Sequence, residues 1–254
     1  MKAYLFLAIV AASVVQTPDN RIAKVHSHND YTRERPFYEA YESHAASIEA
    51  DIFATDKPGE LLVAHNKSDL PHALSLDSAY ISPLKQVFKM NGGRAWKDSD
   101  RRLVLLVDLK TPTEPTLSTL VAKLEDYPEV FDYKTNPYAV QVVITGNIPD
   151  GERFADYPDF IMFDAPHFDF TPEQLKRIFM FSFPFYKFAD WQGIDPIENP
   201  EKVVEQIKKA HLLDRPIRFW GAPDNELAWK TLFDMGADYI NTDRPKACVK
   251  YFDR

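Results

Sequence analysis

"SIEADIF", residues 47–53, decides how this chain is read. On an extended strand successive side chains alternate, so Ile48, Ala50 and Ile52 share one face while Glu49 and Asp51 share the other. In an antiparallel sheet with one wet face the two carboxylates would meet water. In a parallel sheet covered by helices they would point into the protein interior, where two negative charges need a counter-charge. The neighbouring strands decide between these cases.

Those neighbours are apolar on both sides and alternate with helical segments. In order they are 23–28 (AKVHSH), 47–53, 102–109 (RLVLLVDL), 138–145 (YAVQVVIT), 159–164 (DFIMFD), 178–183 (IFMFSF), 216–220 (PIRFW) and 237–243 (ADYINTD). A short run, 61–65 (LLVAH), follows the second as a hairpin-like extension. Between them, FYEAYESHA, SPLKQVFKM, TEPTLSTLVAKLEDY, TPEQLKRIF, NPEKVVEQIKKAHLL and DNELAWKTLFDMG read as helices. Thr113 is expected to cap the third of these and Thr171 the fourth, with Pro172 at the first helical position and Gly236 closing the last. Eight parallel strands alternating with helices predict an α/β fold, a single-domain (β/α)8 TIM barrel over residues 17–254, close to the typical size of about 250 residues. A doubly wound open sheet comes second. It lacks a glycine-rich strand-to-helix turn in a chain with only 8 glycines.

Composition narrows the function. With 38 acidic and 30 basic residues the formal charge is −8, which argues against a nucleic-acid partner. A single cysteine, Cys248, excludes intrachain disulfides and cysteine-based metal sites, and its position past the last strand suits a packed thiol. Residues 1–16 read as a signal peptide, one lysine followed by an apolar run from Ala3 to Val15. That run is shorter than the roughly 20 residues of a membrane span, so a secreted or periplasmic protein is expected.

A barrel carries its active site at the C-terminal strand ends. Here those ends supply His28, Glu49, Asp51, Asp108, Lys110, Thr145, Asp164, Trp220 and Asp243, with His65 from the short extension. Glu49, Asp51 and Asp108 form an all-oxygen set suited to one hard divalent cation, Mg2+ or Ca2+. Lys110, on the face of Asp108, could hold a phosphate oxygen. His28 and His65 have the chemistry of an acid–base pair for a P–O bond, and His26 shares the face of His28. His44, His72 and His211 read as structural, and His167 as undecided.

The ordered set HSHNDY, SIEADIF, LLVAH, LLVDLKT and INTDRP resembles the glycerophosphodiester phosphodiesterase and phosphatidylinositol-specific phospholipase C-like superfamily, from about Val25 to Pro245. The resemblance implies a metal-dependent phosphodiester hydrolase with His28 and His65 catalytic and Glu49, Asp51 and Asp108 as metal ligands. Lys110, Asn29 and Trp220 would then touch a small-molecule or lipid phosphodiester. Two departures stand out. Asn29-Asp30 replaces the usual Arg-Gly after the first histidine, and Asp108 replaces a common Glu, as in the sphingomyelinase D pattern. The aromatic stretch IFMFSFPFYKFADWQG suits packed core, or transient contact with a membrane surface. Two other readings remain: an amidohydrolase-like site with His26, His28 and Asp243 as ligands, and a barrel that binds without turnover.

Overall fold

A computed structural model describes residues 22–97 and 99–253; the proposed signal segment lies outside them. Ten strands appear: β1 Lys24–Ser27, β2 Ser47–Ala54, β3 Leu61–Val63, β4 Leu74–Ser75, β5 Val104–Leu109, β6 Gln141–Gly146, β7 Ile161–Ala165, β8 Ile178–Pro184, β9 Ile217–Trp220 and β10 Tyr239–Thr242. All but β3 and β4 are parallel, in the order β1-β10-β9-β8-β7-β6-β5-β2, and pairing of β1 with β2 closes the barrel. The strands β3 and β4 extend β2 as an antiparallel ribbon, which carries His65 to the barrel mouth.

The helices are α1 Tyr38–Glu42, α2 Ser82–Met90, α3 Thr113–Glu125, α4 Pro128–Phe131, α5 Pro172–Leu175, α6 Glu201–Leu212, α7 Glu226–Met235 and α8 Pro245–Phe252. Asn225 caps α7 by accepting from the Ala228 N–H, and Gly236 ends it in the left-handed region at φ 113°. Thr171 caps α5 in a reciprocal box with Gln174. That helix is shorter than its sequence pattern suggests. Arg177, just past it, donates to the carbonyls of Tyr157, Pro158 and Ile161, and Ile178 already belongs to β8. Thr113 does not cap α3; its hydroxyl donates to the Asn147 carbonyl instead. Between β6 and β7 only a 3-10 turn, Gly151–Asp156, replaces a helix.

Ile48, Ala50 and Ile52 pack outward in the layer between strands and helices. The barrel interior is apolar at its base, where Val104, Leu106, Val143, Met180 and Tyr239 fill the bore. Above them the filling turns polar: His26, Ser47, Glu49, Asp164, Ser182 and Arg218 are all buried. Cys248 is buried in α8, and burial pushes its thiol well above the ordinary range, so it is a packed residue. Phe181, Phe183 and Phe185 of the aromatic stretch are core, whereas Tyr186 is exposed.

Candidate active site

Strand register assembles the site. Asp51 pairs with Asp108, and Asp108 with Thr145, so three adjacent strands present these side chains on one rung. Glu49 stands one inward position lower on β2. Glu49, Asp51 and Asp108 each offer a carboxylate oxygen, all within 4.8 Å of one another. The ammonium of Lys110 lies 2.9 Å from Asp51 Oδ2 and 2.7 Å from Asp108 Oδ2, tying the upper pair together.

Beneath them Arg218 projects from β9. Its guanidinium donates to Ser182 Oγ at 3.0 Å, Glu49 Oε2 at 3.2 Å, Asn241 Oδ1 at 3.1 Å and Asp164 Oδ2 at 3.2 Å. His26 Nε2 lies 2.7 Å from both Glu49 Oε2 and Arg218 Nη1, and its Nδ1 lies 2.8 Å from Ser47 Oγ. Both ring nitrogens of His26 are thus occupied inside the barrel. Burial and the Arg218 charge push its pKa down to about 4, which keeps the ring neutral.

The charges do not balance. Four carboxylates (Glu49, Asp51, Asp108, Asp164) meet two permanent cations (Lys110, Arg218), leaving the counter-charge of one divalent cation. The imbalance shows in the proton affinities. Burial would raise Glu49, but the bond from His26 and the charge of Arg218 hold it well below the carboxylate range. Asp51 is pushed up to about 6 by burial and by Glu49, and burial likewise lifts Asp164 to about 6. Among the described residues, the buried Oδ1 atoms of Asp51 and Asp164 have no hydrogen-bond partner. An unpartnered buried carboxylate oxygen within an all-oxygen acidic trio fits a hard cation.

The histidines of the pair are held differently from His26. His28 Nδ1 lies 2.9 Å from Asp243 Oδ1 and 3.0 Å from Asn29 Nδ2. Burial lowers the His28 pKa, yet the Asp243 bond and the field of Glu49 outweigh it and raise the net value. His65 Nδ1 lies 3.0 Å from Tyr31 Oη, and its side chain is half exposed. His28, Asn29, Glu49, His65, Asp108, Lys110 and Trp220 line one cavity of about 350 Å³, together with Arg218. Asp51 is fully buried beside them.

The remaining histidines lie elsewhere. His44 stacks on Trp96, His211 pairs with Asp238, and His167 stacks on Phe170. Three contributors escaped the sequence reading: Arg218, Tyr31 and the pairing of Asp243 with His28. A lone arginine inside the apolar run "PIRFW" is the one local signal that an inward position on that strand is polar.

The chain is similar to known proteins in sequence and in fold. Residues 16–155 match the AIM6-like phosphodiesterase domain, and residues 216–246 the glycerophosphoryl diester phosphodiesterase family. The Altered inheritance of mitochondria protein 6 of Lachancea thermotolerans is 30% identical over 88% of this chain and 64% of its own length. That of Eremothecium gossypii is 27% identical over 91% of this chain and 69% of its own. This chain thus spans about two thirds of those relatives. A glycerophosphodiester phosphodiesterase from Parabacteroides distasonis superposes with TM-score 0.60 at 16% identity, over 92% of this chain and 98% of that one. A Ca2+-dependent phosphatidylinositol-specific phospholipase C from Streptomyces antibioticus gives 0.53 at 9% identity, over 90% and 95%. With the family match covering more than half of its length and the acidic trio and histidines on one barrel mouth, the chain belongs to the AIM6-like phosphodiesterase domain family, within the glycerophosphodiesterase and phospholipase C-like superfamily.

Proposed function

We propose that the protein is a metal-dependent phosphodiester hydrolase for glycerophosphodiester or phospholipid-type substrates. One observation carries the reading: two histidines, each anchored through Nδ1, line the same cavity as a cation-deficient carboxylate trio. Glu49, Asp51 and Asp108 would hold Mg2+ or Ca2+, which when bound neutralises charge on a phosphoryl oxygen. Lys110 would orient a second phosphoryl oxygen from its place beside Asp108. With Nδ1 engaged, Nε2 is the proton-exchanging atom of each ring. One of His28 and His65 takes a proton from the attacking water or substrate hydroxyl, and the other protonates the leaving alcohol. Asn29 would contact the substrate at the position the wider superfamily gives to arginine.

Trp220 lines the cavity, and the exposed ring of Tyr186 sits 5.9 Å from it. This aromatic edge supports an apolar leaving group or a brief contact with a lipid surface. The apolar run at 3–15 supports export. His26 does not suit an amidohydrolase ligand, since Ser47, Glu49 and Arg218 occupy both of its nitrogens.

The test is a panel of glycerophosphodiesters, lysophospholipids and cyclic phosphodiesters assayed with Mg2+, with Ca2+ and with EDTA. Hydrolysis that chelation abolishes and either cation restores is the expected result. Undiminished turnover after exhaustive chelation removes the metal from the mechanism, and inertness towards every diester favours the non-catalytic barrel.

A further inference from the structure

Tyr31 lies in the stretch that departs from the superfamily pattern, one residue past Asn29-Asp30. Asn29 adopts the left-handed conformation at φ 47°, a region asparagine tolerates better than most residues. The chain then turns through the 3-10 segment Asp30–Thr32, which carries the Tyr31 hydroxyl into the site. Asp30 fixes that turn from below. Its buried carboxylate accepts from the Phe37 N–H at 2.6 Å, Ser27 Oγ at 3.0 Å and Tyr80 Oη at 3.0 Å.

The hydroxyl of Tyr31 lies 2.7 Å from Asp51 Oδ2, 3.0 Å from His65 Nδ1 and 2.7 Å from Asn29 Oδ1, so two acceptor oxygens and a ring nitrogen surround it. A phenol has a single proton to give and two lone pairs. A carboxylate is the strongest acceptor of the three, so the proton goes to Asp51. The phenolic oxygen is then an acceptor towards His65, which must supply its own N–H at Nδ1. Asp51 Oδ2 also lies 3.4 Å from the same ring nitrogen.

We propose that Tyr31 is the positioning residue of His65: its hydroxyl links the imidazole to Asp51 and holds the ring in the Nδ1–H tautomer, with Nε2 open to the cavity. This rests on the reading of His65 as an acid–base residue. It also gives the two oxygens of Asp51 separate tasks. Oδ2 receives Tyr31 and Lys110, whereas Oδ1, unpartnered and buried, remains for the cation. The sequence change after the first histidine is thereby accounted for: "HNDY" builds a support for the second histidine.

The test is Tyr31→Phe in the full chain, which keeps the ring and deletes the hydroxyl. The tautomer of His65 is read from its 15N shifts at about pH 8.5, where an ordinary imidazole is neutral. The native protein should show the Nδ1–H form, and Tyr31→Phe should shift His65 towards the Nε2–H form that free histidine favours. Turnover of a responsive diester should fall about 10–100-fold, the size typical of such supporting residues, and Mg2+ affinity should fall as well, because the same hydroxyl supports Asp51. An Nε2–H tautomer in the native protein overturns the proposal, as does a tautomer that Tyr31→Phe leaves in place. Because the native spectrum decides by itself, a variant that folds poorly does not protect the idea. A tautomer shift in a protein that hydrolyses no diester would uphold the positioning role and overturn only the catalytic reading.

Discussion

His28 and Asp243 stand 215 residues apart in sequence and 2.9 Å apart in space. Each shifts the other: the net His28 pKa is raised above 6.5, and the bond from His28 holds the Asp243 carboxyl below 3.8. The two shifts define a pH window. The raised histidine contributes stability in full below its unfolded value of 6.5 and loses it as pH climbs through the folded value. The depressed carboxyl contributes above 3.8 and loses that as pH falls through its lower folded value. Their coupling is therefore largest between these limits and falls in alkali to what the neutral Nδ1–H bond contributes. Asp243 is more than half exposed, so solvent screening keeps the coupling below about 1 kcal/mol. A double-mutant cycle of His28→Gln and Asp243→Asn, followed by urea unfolding in EDTA, should show more coupling at about pH 5.5 than in alkali. A coupling that does not vary with pH would mean that the contact is not an ion pair.

At the scale of an element, the C-terminal end of β6 shows how backbone shape protects the acidic trio. Gly146 closes that strand at φ 76°, and a Cβ there would lie 2.0 Å from Asp108 Oδ1 and 2.8 Å from the Leu109 carbonyl. Glycine is required twice over, by its dihedral and by the carboxylate beside it. Gly146→Ala should destabilise the protein by about 1–3 kcal/mol. It should also weaken Mg2+ or Ca2+ binding about tenfold or more by displacing Asp108. Gly59→Ala is the control, since Gly59 shares a φ of 77° with open space around it. Calorimetric titration should find native affinity in Gly59→Ala alone; equal affinity in both variants would detach Asp108 from the cation site. The strands themselves were legible in the sequence because parallel strands covered on both faces are continuous apolar runs. Helix ends were less so, since Thr113 could cap a helix or, as it does, bond a neighbouring loop.

Over the whole molecule, the barrel interior is layered by charge, with an apolar base, a polar floor around Arg218 and carboxylates at the mouth. Arg218 pairs with Glu49 and Asp164, and all three are nearly inaccessible to solvent. Removing one partner from such a cluster leaves buried charges uncompensated, which costs about 3–5 kcal/mol. Arg218→Met should lose that much in urea unfolding, and adding Asp164→Asn should restore part of it by removing one orphaned charge. Arg218→Lys should not rescue in full, because an ammonium cannot reach four acceptors as a planar fork does. A loss under about 1 kcal/mol would show that the floor charges are neutralised in another way.

What the sequence by itself determined was periodic and local. The alternation in "SIEADIF" put Glu49 and Asp51 on one inward face, and the order of strands and helices called for a closed barrel with its ionisable groups at the strand ends. The location of Lys110 beside Asp108 followed from the same two-residue period. Tertiary structure decided which of these groups meet. Only barrel closure brings Arg218 to Glu49 across 169 residues, and only the turn after β1 sets Tyr31 between Asp51 and His65. It likewise separated His26, sealed within the floor, from His28 at the mouth, although the two share one strand face. Side-chain direction along a strand is a property of the backbone repeat, whereas proximity across the bore depends on strand register and closure. Those are set by the packing of the whole sheet.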